Sequence, residues 1–226
     1  IAAVASTFGA LPPRGPAPAV LPGSDQRRFP APTPTPVRLF HTGPAEQAMA
    51  YIAWPTTDQI GDRTRARQLV ILADVFQLRL TDEVREKLGI AYSPGAGASS
   101  SAVFDGYGSI YASAQTEPGK LDAFFEAVDR ITADLRDNPV SEDELNRARR
   151  PAVEQLKRSM ADNGYWLGQL QDAQKDPASL DQVRTHLATI EAVTAADLQA
   201  LAREYLRPDR AWRVEVVKQP ETPAAD

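Results

Sequence analysis

Cysteine is absent from the 226 residues. Disulfides, thiolate nucleophiles and cysteine-ligated zinc are thereby excluded, and the redox compartment cannot be read from thiols. Histidine is almost as scarce, with only His41 and His186, far apart in the chain. Carboxylates would have to complete any self-contained zinc site, so catalytic zinc is not expected here. No apolar run approaches the length of a membrane span. Positive charge is in deficit, 25 Lys+Arg against 30 Asp+Glu, which gives no footing for nucleic acid or an anionic membrane surface. The opening Ile1-Ala-Ala-Val-Ala lacks the basic flank of a signal peptide and does not start with Met, as in an excised soluble piece.

What is present is an ordinary globular balance, 42% hydrophobic and 24% charged. The length suits one large domain or two small ones, with room for a sizeable core. Nine of the 19 prolines fall between Pro12 and Pro36, where a helix cannot form and an extended strap is expected. Ile1–Phe8 reads as a short helix stopped by Gly9. The chain accordingly divides into residues 1–12, a stub of a preceding domain; 13–36, a Pro-rich linker; 37–218, the main domain; and 219–226, a frayed tail.

Within the main domain, Val37–His41 and Ala48–Trp54 are strand candidates. The second alternates Met49, Tyr51 and Ala53 against Ala50, Ile52 and Trp54. A long helix is expected from Arg63 to Leu88, burying Leu69, Ala73, Phe76, Leu80, Val84 and Leu88, with Gly89 ending it in the left-handed region. Ala98–Phe104 and Tyr107–Gln115 flank Asp105-Gly106, the signature of a type I′ hairpin. Pro118 opens a second helix with Leu121, Phe124, Phe125, Val128, Ile131 and Leu135 on one stripe. Ser141-Glu-Asp-Glu144 reads as a capping box for a third, and Pro151 is expected to kink or break it. Shorter helices follow around Leu180–Ile190 and from Thr194-Ala-Ala-Asp197, and Trp212–Val217 closes as a strand. This order predicts an α+β fold, an antiparallel-rich sheet covered on one side by helices.

The most specific stretch is Arg85-Glu86-Lys87-Leu88-Gly89-Ile90-Ala91-Tyr92-Ser93. An Arg-Glu pair followed by Gly and Tyr-Ser resembles the second-half signature of pitrilysin/insulinase-type zinc metallopeptidases. The Phe8-Gly9-Ala-Leu-Pro12 stub, the strand before the long helix, the hairpin after it and the closing strand agree with that family. The resemblance covers nearly the whole chain, and is closest to the last of four homologous domains in the large members.

The resemblance implies that two halves enclose a proteolytic chamber, the other half holding zinc through an inverted H-x-x-E-H motif that this chain lacks. It implies no cofactor in this fragment, zinc-bearing domains of the same polypeptide (or a partner subunit) and a peptide substrate as partners, and Arg85 and Tyr92 as the residues that contact bound peptide. Chemically, a tyrosine O–H can donate to the carbonyl oxygen that gains charge during hydrolysis, and a guanidinium can hold a neighbouring carbonyl. Neither acts as acid, base or nucleophile, so the fragment alone is expected to be inactive. The other reading is a non-catalytic structural or peptide-binding subunit of the same fold, as in processing-peptidase or respiratory core proteins. The Ala/Arg/Asp-rich style and the resemblance point to a bacterial periplasm, or otherwise to the cytoplasm.

Other candidates have plainer readings. His41 and His186 are expected to be structural. Pro94-Gly-Ala-Gly97 with Ser99–Ser101 lacks the Gly-Lys-Ser/Thr ending of a phosphate loop and reads as a flexible hairpin entry. Glu142, Asp143 and Glu144 suit the first turn of a helix without a metal. Tyr107 and Tyr111, alternating on one hairpin face, either line the chamber or pack.

Overall fold

The computed structural model describes residues 1–12, 15, 19, 21–24, 26–174, 177 and 179–220. Expectations for the rest of the Pro-rich segment and for residues 221–226 of the tail lie outside them. Helix α1 (Ala2–Ser6) is followed by a 3₁₀ turn at Phe8–Ala10. Gly9 sits inside that turn with an ordinary φ, so it is not the left-handed stop its position suggested. The side chains of α1 are all exposed. Further on, the Pro-rich segment is strapped to the sheet: Thr33 donates its N–H to the Ala211 carbonyl at 2.9 Å and its hydroxyl oxygen accepts from the Arg213 N–H at 2.7 Å.

Strands β1 (Val37–His41) and β2 (Ala48–Thr56) precede helix α2 (Arg63–Leu80). After it come β3 (Gly95–Ser100), β4 (Gly108–Thr116), α3 (Leu121–Asp137), α4 (Glu142–Met160), α5 (Asn163–Ala173), α6 (Ser179–Glu191), α7 (Ala195–Tyr205) and β5 (Trp212–Lys218). The sheet order is β1-β5-β2-β4-β3, parallel only between β1 and β5. The fold is α+β, as the pattern of elements predicted.

Alternation in β2 assigns the two faces. Ala48, Ala50, Ile52 and Trp54 are buried under helices, with Ala114, Ile110 and Ala112 of β4 beside them. Trp54 satisfies its indole N–H on the Arg207 carbonyl at 3.0 Å, as a buried donor must. Helices α2, α3 and α7 pack on the sheet, and α4 and α6 pack on α2. The stripe Leu121, Phe124, Phe125, Val128, Ile131 and Leu135 is buried as its spacing required.

Four local expectations change. The β3–β4 link is not a two-residue type I′ turn but the loop Ser101–Tyr107. Only Gly106 has positive φ, whereas a type I′ turn needs it at both central residues. The loop is organised instead by Asp58, whose carboxylate accepts from the N–H groups of Ile60, Gly61 and Gly106, and by Ser101 Oγ, which accepts from Val103 and Phe104. Gly95–Ser100 is an ordered edge strand where a flexible entry was expected. Ser141 caps α4 by accepting from the Glu144 N–H, but the Glu144 carboxylate does not return the bond; it forms a bidentate pair with Arg79 at 2.6 and 3.0 Å. Pro151 does not break helix α4, which runs on to Met160.

Candidate functional site

The stretch carrying Arg85 and Tyr92 is shaped by how α2 ends. Asp62 caps its start by accepting from the Arg65 N–H at 2.9 Å. At its far end the helix widens into a π-turn, Thr81–Lys87, where Leu88 N–H reaches the Glu83 carbonyl at 3.0 Å. The Thr81 hydroxyl also donates to the Gln77 carbonyl at 2.9 Å, a back-bond that loosens the local ladder. A wider turn advances each residue by less than an α-helix does. Val84 therefore stays on the buried stripe, while Leu88 swings out to 45% exposure instead of joining it.

Gly89, at φ +56°, then reverses the chain, as expected. Ile90 and Ala91 plug into the core. The Ile90 N–H donates to the Val84 carbonyl at 2.9 Å, and its own carbonyl accepts from the Thr116 hydroxyl at 2.6 Å. Beyond Tyr92 and Ser93 the chain is fixed again by Gln77, which donates to the Pro94 carbonyl at 3.1 Å and accepts from the Ala96 N–H at 2.6 Å. Tyr92-Ser93 is thus a short exposed projection between two pinned points.

The structure brings the two expected residues together. The Arg85 guanidinium carbon lies 5.2 Å from the centroid of the Tyr92 ring, a cation–π contact. Tyr92 is 82% exposed. Arg85 places Nε 3.3 Å from Glu86 Oε1. Among the described residues its Nη1 and Nη2 groups and the Tyr92 hydroxyl have no hydrogen-bond partner, so the stacked pair presents a set of donors to solvent. Such a pair can hold carbonyl oxygens of an extended peptide. The edge strand β3 begins three residues on, and its outer side pairs with no strand of the described sheet.

The other candidates fall as follows. His41 accepts from the Gly43 N–H through Nδ1 at 2.9 Å, and its Nε2 lies 2.8 Å from the Gln47 carbonyl, so both ring nitrogens are engaged. His186 lines a small cavity between α2, α5 and α6, where burial and then Arg67 push its pKa down to about 4. Glu142 pairs with Arg149 and Glu144 with Arg79. Among the described residues no group of three or more His, Asp or Glu could hold a metal ion. The zinc that the family resemblance implies is expected in another domain, and the described residues offer no site for it. Tyr107 and Tyr111 do not share a strand face. Tyr107 lies in the loop under Arg27. Tyr111 stacks on Tyr51 at 5.7 Å, which in turn meets Trp212 edge-on at 6.0 Å, an aromatic row on the sheet face opposite Ile52 and Trp54.

Sequence reading missed the cavity lined by Arg63, Arg67 and His186. One signal was available: Arg63 and Arg67 stand one turn apart at the start of a helix whose first turn carries no acidic residue.

Comparison with known proteins places this arrangement in a family. Residues 1–151 match the model of the peptidase M16 inactive domain. The chain belongs to that family, as a carboxy-terminal domain of the pitrilysin/insulinase-type peptidases does. Among solved structures it is similar to a conserved protein from Enterococcus faecalis, with TM-score 0.74, 18% identity, 98% of this chain and 50% of that one. It is similar to a peptidase M16 inactive domain from Pseudomonas fluorescens, with TM-score 0.71, 22% identity, 96% of this chain and 52% of that one. It is also similar to the periplasmic protease PqqL from Escherichia coli, with TM-score 0.71, 15% identity, 96% of this chain and 24% of that one. The chain thus spans about half the length of the first two. Comparison with curated sequences returned no match. No helix among the described residues is long and apolar enough to cross a membrane.

Proposed function

We propose that this chain is the zinc-free wall of a peptidase chamber, and that Arg85 and Tyr92 bind the peptide and stabilise its transition state. The observation that carries the reading is the stacked, exposed Arg85–Tyr92 pair, held on a projection pinned at Ala91 and Pro94. Backbone that is fixed on both sides of a donor pre-organises it, which is what oxyanion stabilisation requires. The Tyr92 hydroxyl donates to the scissile carbonyl oxygen as charge builds there, and the Arg85 fork holds a neighbouring carbonyl. Zinc and the attacking water belong, in this proposal, to another domain of the parent or to a partner subunit, and closure of the two halves gates the reaction. Residues 1–12 would close the preceding domain, 13–36 link it to 37–218, and 219–226 form a tail. A periplasmic location is supported by the similarity to PqqL, with the cytoplasm as the other site.

Peptide hydrolysis by the zinc-loaded parent tests this, comparing wild type with Tyr92→Phe. Loss of the hydroxyl is expected to lower kcat by about 10²-fold with zinc content and Tm unchanged. Unchanged turnover would make the domain a structural or peptide-binding subunit instead.

A further inference from the structure

Helix α2 begins with an electrostatic oddity. Arg63 and Arg67, at i and i+4, place like charges on neighbouring turns, an arrangement that costs stability in water. Both line a cavity of about 160 Å³ together with Tyr165 from α5 and Ser179, Gln182 and His186 from α6. Among the described residues, none that lines it is a carboxylate and neither arginine forms an ion pair. Arg63 uses only Nε, on the Gln59 carbonyl at 3.1 Å. Arg67 spends Nη1 on Thr189 Oγ1 and Nη2 on the Gln182 carbonyl. The two Nη groups of Arg63 and the Nε of Arg67 are left over.

The cavity wall holds unmatched polar atoms as well. Ser179, the first residue of the 13-residue helix α6, is 6% exposed, and among the described residues its Oγ has no hydrogen-bond partner. Gln182 Oε1 is likewise buried and unmatched; a half-turn of the amide presents Nε2 there as another donor. Positive charge, an N-terminal helix dipole and spare donors converge on one partly open cavity. His186 in the same cavity is kept neutral chiefly by burial, with Arg67 adding to the effect. The volume is several times that of one water, about 30 Å³ in the liquid. It admits a small ion but not a peptide chain.

We infer that this cavity binds a small oxyanion, a carboxylate or phosphate group, through Arg63, Arg67 and the Ser179 hydroxyl. A bound oxyanion neutralises the arginine pair and ties α5 and α6 to the start of α2. The inference does not rest on the role proposed for Arg85 and Tyr92.

The two histidines make the test direct. The 226-residue chain is titrated at neutral pH with inorganic phosphate, acetate, N-acetylglycine and the amide of N-acetylglycine, with chloride as the salt control. The His186 ring signals are followed by NMR, His41 serving as the internal reference. Saturable movement of His186 alone, a rise in its pKa and a rise in Tm are expected. Saturation by phosphate only assigns a phosphate; saturation by acetate and N-acetylglycine but not the amide assigns a carboxylate. Arg63→Gln is expected to weaken the response about tenfold or more, the loss of one charge-assisted bond. Arg67→Gln serves as the second variant, because Arg67 also bridges α2 to α6. A response absent from wild type, reproduced by chloride, or undiminished in both variants overturns the inference and leaves a water-filled cavity.

Discussion

Asp74 stands in the middle of α2 with no hydrogen bond or ion pair among the described residues, and burial alone raises its carboxyl from 3.8 to about 6. The native state therefore holds this proton more tightly than the unfolded chain. Stability from this group is fully present below 3.8, falls as pH rises towards about 6, and is gone above it. Asp74→Asn removes the charge and keeps the shape. It is expected to stabilise the chain near neutral pH by on the order of 1 kcal/mol after allowance for solvent screening, or about 2–4 °C in Tm for a chain of this size. Thermal melts at neutral pH and below about pH 4 check the sign, because the gain should vanish in acid. An equal gain at both pH values would mean that charge is not the cause. His186 runs the other way, depressed from 6.5 to about 4 by burial and then by Arg67. Its stability is present above 6.5 and lost as pH falls towards about 4. The two groups offset one another in wild type, so Asp74→Asn should also steepen the acid loss.

Helix α4 crosses Pro151 without ending, although proline removes the N–H that would bond to the Arg147 carbonyl and crowds that turn. The interruption is tolerated because the buried residues Leu145, Ala148, Val153 and Leu156 lie on both sides of it and hold both halves of the helix. Pro151→Ala is expected to restore the missing bond and raise stability by about 1–3 kcal/mol. A drop in Tm would show instead that the fixed φ of Pro151 helps to hold α4 against α2 and α6. The same contrast explains what was legible in the sequence. The α3 stripe, the β2 alternation and the Gly89 stop depend on neighbours within one or two turns, so periodicity and a single φ revealed them. The unbroken α4, the Ser101–Tyr107 loop and the released carboxylate of Glu144 depend on distant partners, respectively the core, Asp58 and Arg79. Helix α5 escaped for a related reason, since Trp166, Leu167 and Leu170 are exposed and give it no clear buried stripe. At the candidate site, the motif singled out Arg85 and Tyr92, which the structure stacks together, but not the π-turn that turns Leu88 outward. The Arg63–His186 cavity needed α6 folded back on α2, which no local pattern records.

Across the whole molecule, helices cover one face of the sheet and the other face carries the row Tyr111, Tyr51 and Trp212. Cutting a peptide bond needs an activated water or nucleophile, a group that moves protons and a donor for the oxyanion. In the role proposed for them, Arg85 and Tyr92 supply only the last. Both ring nitrogens of His41 are engaged by its own turn, His186 lines the Arg63/Arg67 cavity, and the described residues assemble no group of three metal ligands. The 226-residue chain incubated with zinc is therefore expected to show no hydrolysis of a fluorogenic peptide panel above the uncatalysed rate, and no stoichiometric zinc in equilibrium dialysis. Supplied with a zinc-bearing half that carries H-x-x-E-H, hydrolysis should appear and should depend on Tyr92. Chelator-sensitive turnover by the chain alone would overturn the division of labour. Turnover in the reassembled pair that ignores Tyr92 would keep the chamber but remove its donor, which separates the architecture of the proposal from its chemistry.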